Sequence, residues 1–302
     1  MRLVTRSDFD GLVCGVLLNA EGLVDSYAFV HPKDVQDGIF PLTKKDILAN
    51  LPYSPGCGMW FDHHSSEIER VGDVAAQGLV KVAPSCARVV WEYYGGHAKF
   101  SAHLDSLLEA VDKVDSGMLS ADDVNSPKGW ILLGFIMDPR MGLQNQSGFS
   151  LNTYDLTVKL IGACAVMPAE EVLALPAVAE RVERYAAQET QFRNMLRKCS
   201  RIDGNVLVTD LRDQEEVYSG NRFTAYAMFP ESNASIQAMW GFKKQRVVLA
   251  VGHSILNRTC KADIGALMLQ YGGGGHARVG TCQVKPEKAD EVLEALIAAL
   301  RE

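Results

Sequence analysis

Two short segments more than two hundred residues apart carry most of the chemistry in this chain of 302 residues. Asp62-His63-His64 follows the apolar Met59-Trp60-Phe61, and Gly272-Gly273-Gly274-Gly275-His276 lies near the C-terminus. Three adjacent titratable groups where a strand leaves the core suit a metal-binding turn, with Asp62 able to orient an imidazole. A satisfied structural histidine is the plain alternative, which two histidines in a row behind an aspartate weaken. The glycine run suits a backbone pocket for an anion. It also reads as a flexible turn, although His276, Arg278 and the strand-like Thr281–Val284 favour a ligand loop. Near the N-terminus, Ser7-Asp8-Phe9-Asp10-Gly11 brings two carboxylates around one turn. Mn²⁺ and Mg²⁺ prefer such oxygen ligands, and Mn²⁺ accepts imidazole more readily. Taken alone, this pair also reads as a solvated helix N-cap. Asp112 and Asp115 share a helix face, and Ser116-Gly117 ends that helix; an acidic surface patch is the alternative.

The elements that must hold these residues follow from patterning. Arg2–Thr5 reads as a strand and Leu12–Leu18 as the start of a helix, which puts Asp8 and Asp10 at a strand-to-helix junction. Gly22–Val30, Met59–Phe61 and Ile47–Leu51 are strand-like, and Pro84–Tyr94 reads as a helix beginning at a proline. Alternating strands and helices predict an α/β unit with a mostly parallel sheet, whose ligands gather at the strands' carboxyl ends. Val178, Val182, Tyr185, Phe192 and Leu196 recur at helical spacing, predicting a long helix over Glu180–Lys198. Beyond it, Asn205–Val208, Ala234–Met239 and Arg246–Val251 read as strands, and Ala262–Leu269 and Glu287–Leu300 as helices. The division is therefore 1–180, a connecting helix 181–200, and a smaller mixed-sheet α/β domain 201–302. A long connector of this kind would let the two domains hinge.

Composition narrows the class. Hydrophobic residues make up 47% and charged residues 22%, ordinary for a folded protein with a sizeable core. A net charge of −7 offers no field for long duplex nucleic acid, although a short anionic substrate can still be gripped locally. The seven cysteines form no C-x-x-C pair and read as small buried apolar residues. With neither a signal-peptide pattern nor a membrane-length apolar stretch, the expectation is a cytoplasmic protein without membrane contact.

The segments Ser7–Gly11, Phe61–His64 and Asp115–Gly117, in that order, resemble the successive motifs of the DHH phosphoesterases. Gly272–His276 with Ala277-Arg278-Val279-Gly280 resembles the signature of the DHHA1 domain that commonly follows. The chain looks most similar to the exopolyphosphatase-related group, kin to nano-RNases and pAp phosphatases. The resemblance implies an active site between the two domains, with Mn²⁺ (or Mg²⁺), one or two ions, on the first. Asp8, Asp10, His63 and Asp115 match metal-ligand positions. His64 matches the histidine facing the scissile phosphate, and Asp62 the carboxylate that orients it. On the second domain, Gly273, Gly274, Gly275 and His276 would cradle a terminal phosphate or nucleotide. Arg258, eighteen residues before His276, is a candidate phosphate clamp. Two positions depart from the pattern: Val4 stands where many members carry histidine, and Asn50, a poor bridging ligand, where a metal-bridging aspartate is expected. Asp46 is the one acidic residue between Phe40 and Trp60.

The implied function is metal-assisted hydrolysis of a small phosphorylated molecule: a short single-stranded oligoribonucleotide, pAp or a cyclic dinucleotide. Polyphosphate hydrolysis and a catalytically weakened nucleotide sensor are the alternatives, and a homodimer is compatible with either. Phe223, Tyr226 and Phe229 offer rings for base stacking, and Arg212 and Arg222 can reach phosphates or be solvated. Asp138-Pro139-Arg140 reads as a structural ion pair or as an element of the site, and Trp91, Tyr93 and Tyr94 as core packing.

Overall fold

The computed structural model describes every residue except Asp73, Ala75 and Glu302, and the side chain of Asn145. The chain forms two compact units, Met1–Met118 with Ser126–Tyr185, and Leu119–Asn125 with the residues from Ala186 onward.

The first unit is an α/β layer structure. Its strands are β1 (Arg2–Thr5), β2 (Ser26–Phe29), β3 (Asp46–Ala49), β4 (Met59–Asp62) and β5 (Gln77–Val80), in the order β2-β1-β3-β4-β5 and all parallel. Leu3, Val4, Ile47, Leu48 and Phe61 are fully buried, as expected where helices cover both faces of a parallel sheet. Helix α1 (Phe9–Ala20) follows β1; α2 (Pro32–Gln36) and α3 (Ser65–Val71) are short. Helices α4 (Cys86–Tyr93) and α5 (Asp105–Ser116) pack against α1 and against each other.

Helix α4 begins not at Pro84 but at Cys86, because the Ser85 side chain accepts the amide of Arg88 and so caps it. Strand β3 stops at Ala49, and Asn50 turns into a left-handed conformation with φ 56°. Asp46 sits at the other end of β3, held by Arg2 and Thr43, so it is no candidate for the bridging position. Trp91 and Tyr93 are not core residues: Trp91 is half-buried and Tyr93 keeps 37% of its surface exposed.

Segment Leu119–Asn125, with α6 (Ala121–Asn125), groups with the second unit, and α7 (Gly129–Met137), α8 (Thr153–Cys164) and α9 (Ala169–Leu173) with the first. Helix α10 (Pro176–Cys199) is the predicted long helix, a turn longer at its start.

The second unit is a mixed sheet of β6 (Ser200–Asp203), β7 (Val206–Asp210), β8 (Ala234–Trp240), β9 (Val247–His253), β10 (Gly274–His276) and β11 (Val279–Val284). The order is β10-β11-β9-β8-β7-β6, antiparallel except between β7 and β8. Buried and half-buried residues alternate along β8 and β9, so one face is the core. Helices α12 (Ile264–Leu269) and α13 (Ala289–Leu300) close that face with Ile264, Met268, Leu296 and Leu300. The short α11 (Thr224–Met228) packs on α6. Phe223 and Tyr226 are buried there, with the Tyr226 hydroxyl hydrogen-bonded to Ser235, so neither ring is free to stack on a base. Among the described residues no helix is long and apolar enough to cross a membrane, and all seven cysteines are free thiols.

Candidate active site

Strands β1, β3 and β4 are neighbours, and the segments leaving their carboxyl ends meet at one edge of the sheet. Asp8 is the N-cap of α1, accepting the Gly11 amide at 3.0 Å. The N-cap alternative read from the sequence is therefore true of Asp8, but solvation is not: Asp8 and Asp10 are both buried. Asp10 reaches across to α4, where its two oxygens accept the amides of Cys86 (2.9 Å) and Ala87 (2.8 Å). Those donors sit at a helix N-terminus, a place that favours negative charge.

His63 and His64 leave β4 in different directions. The His63 Nδ1 donates to the Ala83 carbonyl at 3.2 Å, which fixes the ring and turns Nε2 away from that carbonyl. Nε2 faces Asp115 Oδ2 at 3.3 Å and Asp10 Oδ2 at 3.8 Å. His64 turns back, its Nδ1 2.8 Å from Asp62 Oδ1, which also accepts the His63 amide. Asp62 thus orients His64, not the histidine that faces the acidic pair.

Asp115 sits at the end of α5, which stops at the left-handed Gly117 (φ 68°). Asp112, one turn earlier, is turned away: it accepts from Ser85 Oγ and from Nε and Nη2 of Arg88, tying α5 to α4. The shared face predicted for the two aspartates therefore serves two different neighbours.

Electrostatics mark the centre. Burial, then the charges of Asp115 and Asp8, push the Asp10 carboxyl well above the usual carboxylate range, against the two amides that oppose this. Burial likewise raises Asp115, outweighing the pull of His63. Burial disfavours the His64 cation, but the hydrogen bond and charge of Asp62, helped by Asp115, outweigh it and raise the pKa above that of an ordinary histidine. We expect Asp62→Asn to lower the His64 pKa, read by NMR titration of its ring in the metal-free protein. An unmoved titration would remove Asp62 from the role of orienting group.

Five buried side-chain atoms make no hydrogen bond among the described residues: Thr5 Oγ1, Ser7 Oγ, Asn50 Oδ1, Asp62 Oδ2 and His63 Nε2. All lie at the carboxyl ends of β1, β3 and β4 or just beyond. Each would cost about 1–3 kcal/mol if left unsatisfied, so their concentration at one edge marks a place built for another partner. Asp10, His63 and Asp115 offer ligand atoms within 4.8 Å of one another, as do Asp62, His63 and His64. Two carboxylates and one imidazole suit Mn²⁺, and Mg²⁺ less well. The residues present therefore fit a divalent cation.

Sequence patterning gave no sign of Arg6, whose Nε lies 3.0 Å from Asp8 Oδ2, or of the Asn50 amide donating to Asp8 Oδ1 at 3.2 Å. Arg6 lies two residues before Asp8, and that proximity was the available signal. Asp138 and Arg140 form the predicted ion pair at 2.8 Å, and the charges of Asp8 and Asp115 also act on Arg140.

In the second unit, the glycine run opens as a turn and continues as a strand. Gly272 turns the chain at φ 72°, and β10 then forms the sheet edge against β11. A Cβ at Gly273 would lie 2.1 Å from the Thr281 carbonyl oxygen, and one at Gly275 2.2 Å from that of Val279. Only glycine permits this approach. His276 is exposed opposite Val279, which in turn pairs with Gly252 near the end of β9. The loop carrying Arg258 leaves β9 at that same end, with Arg258 Nε bound to the Ile255 carbonyl at 2.8 Å. Arg212, by contrast, is taken up by Asp210 and Asp290.

No protein-family model matches the chain, and no curated protein matches it. Among solved structures it is similar to a pGpG-specific phosphodiesterase, PggH from Vibrio cholerae. The identity is 47%, over 99% of this chain and 98% of that one, with a TM-score of 0.87. It is also similar in fold to RecJ from Thermus thermophilus in complex with Mn²⁺: 14% identity and a TM-score of 0.52, over 100% of this chain and 53% of RecJ. A relative of this identity, matched over nearly the whole of both chains, places the chain: it belongs to the DHH/DHHA1 phosphoesterase family.

Proposed function

We propose that the chain is a metal-dependent phosphodiesterase that cleaves a short linear dinucleotide of the pGpG kind. The observation that carries the metal dependence is the set Asp10, His63 and Asp115, whose ligand atoms converge within 4.8 Å with His63 Nε2 left without a hydrogen bond. The substrate class is taken from the 47% identical relative. It narrows the expected range, since a linear dinucleotide is a short oligoribonucleotide rather than pAp, a cyclic dinucleotide or polyphosphate.

Asp10, His63 and Asp115 would hold the cation, with Asp8 beside them. Once bound, Mn²⁺ or Mg²⁺ would supply Lewis acidity, lowering the pKa of water and neutralising charge that builds on the phosphoryl oxygens. His64, whose pKa Asp62 raises, would in its protonated form donate from Nε2 to a non-bridging oxygen or protonate the leaving alkoxide. Cys86 and Ala87 hold the Asp10 carboxylate through their amides, so its position does not depend on the ion. To the second unit we assign anion binding through Arg258, His276 and the adjoining Gly273–Gly275.

The test is nucleotide release with Mn²⁺ from pGpG, longer oligoribonucleotides, pAp, cyclic dinucleotides and polyphosphate, with Asp62→Ala/His63→Ala as the blank. The expected result is GMP from pGpG, with kcat/KM at least roughly tenfold above any other substrate, a modest threshold for discrimination by a specific site. Turnover no greater than the blank across the panel would end this reading.

A further inference from the structure

The charges around the site pair off, with one exception. Asp8 has Arg6, Asp62 has His64, Asp112 has Arg88 and Asp138 has Arg140. Asp10 and Asp115 remain, sharing the imidazole of His63. Two carboxylates left in this way match the charge of a single divalent ion.

Asp8 is already engaged on both oxygens. Oδ2 faces Arg6, and Oδ1 accepts the Gly11 amide and the Asn50 side chain. Asn50, fixed in its left-handed turn, brings a neutral amide to the spot, so it adds no charge to attract a further cation. The Arg6 guanidinium thus stands where an ion at Asp8 would have to stand. Its side chain keeps 30% of its surface exposed and that of Arg140 54%, so both reach solvent at the site's mouth. Each faces its aspartate through Nε, at 3.0 Å for Arg6 and 2.8 Å for Arg140. This leaves the paired terminal nitrogens, the part of the fork that matches phosphoryl oxygens.

We propose that the centre works with one divalent cation, and that Arg6 supplies the second positive charge and, with Arg140, binds the non-bridging oxygens of the scissile phosphate. This rests on the phosphodiesterase reading above for its substrate, but the ion count does not. Arg6 is a resident counter-charge that keeps Asp8 from recruiting a metal. Arg140, buttressed by the buried Asp138, is the second arm of the clamp.

The experiment is equilibrium dialysis against Mn²⁺ with the metal quantified per chain, followed by pGpG kinetics on the same preparations. The wild type should hold one ion. Arg6→Gln, which uncovers Asp8, should hold a second at the same free Mn²⁺, and Arg6→Lys, which keeps the charge, should return to one. Both Arg6 variants and Arg140→Gln should raise KM for pGpG by tenfold or more, because neither lysine nor glutamine reproduces the fork. Arg140→Gln should leave the ion count unchanged. A wild type holding two ions of similar affinity, or an Arg6→Gln protein still holding one, overturns the proposal. If the wild type holds one ion and Arg6→Gln two while pGpG is not cleaved, the charge assignment is supported and only the substrate reading falls.

Discussion

Asp115→Asn is expected to lower kcat/KM by roughly 10³-fold, the scale set by losing electrostatic stabilisation at a reacting phosphoryl group. The same change should make the metal-free protein more resistant to heat at neutral pH. The two effects together are diagnostic. If His63 and Asp115 were a structural ion pair, breaking it would destabilise the fold by about 3–5 kcal/mol. Here burial raises the carboxyl's pKa in spite of the pull of His63, so ionising it costs more in the metal-free fold than in an unfolded chain. Asparagine keeps the shape and removes that strain. Parallel thermal melts and pGpG kinetics on the purified variant check both halves; a marked fall in melting temperature would make Asp115 a structural residue.

Mn²⁺ should raise the melting temperature, and by more as the pH rises. Asp10 and Asp115 both have folded-state pKa values above those of an unfolded chain. Such groups contribute stability that is complete below the unfolded value and lost as the pH climbs through the folded one. His64 has the same sign, its contribution present below the ordinary histidine pKa and lost as the pH passes its raised value. The metal-free fold therefore weakens through these groups as the pH climbs above the ordinary carboxylate and histidine pKa values and through the raised ones, while a cation that replaces the protons restores what they supplied. At a hundredfold excess over Kd the ion contributes about 2.7 kcal/mol, worth roughly 5–11 °C in a unit of this size. Calorimetry with and without Mn²⁺ across that range is the measurement. A shift that is absent, or that shrinks toward alkaline pH, would contradict the assignment of these carboxylates to a cation.

How much of this was legible in the linear chain depended on distance along it. Asp8, Asp10 and Asp62–His64 were readable because each follows an apolar strand directly, so the local pattern already places them at a sheet edge. The long helix α10 was readable for a similar reason, its period running through Val178, Val182, Tyr185 and Phe192. The contacts that hold the site were not readable. The amides gripping Asp10 come from residues 76 and 77 positions away, and the Asn50 amide reaches back 42 positions to Asp8. Asp112 and Asp115 show the limit of periodicity: three residues apart, they face different neighbours because Arg88 and His63 approach α5 from different elements. The rings of Phe223 and Tyr226 misled because a short polar stretch conceals that α11 is packed on α6.

The grouping of Leu119–Asn125 with the later half of the chain bears on the protein's divisibility. The polypeptide passes from one unit to the other at 118/119, back at 125/126 and over again at 185/186. A fragment beginning at Ala186 would lose the Val124 carbonyl that accepts the Asn221 amide, and the Asn125 side chain that accepts from Arg193. The halves are therefore not interchangeable cassettes. Recombination between relatives at a single crossover would graft a foreign α6 beneath a native α11, so the second unit is inherited whole only when the short segment Leu119–Asn125 travels with it.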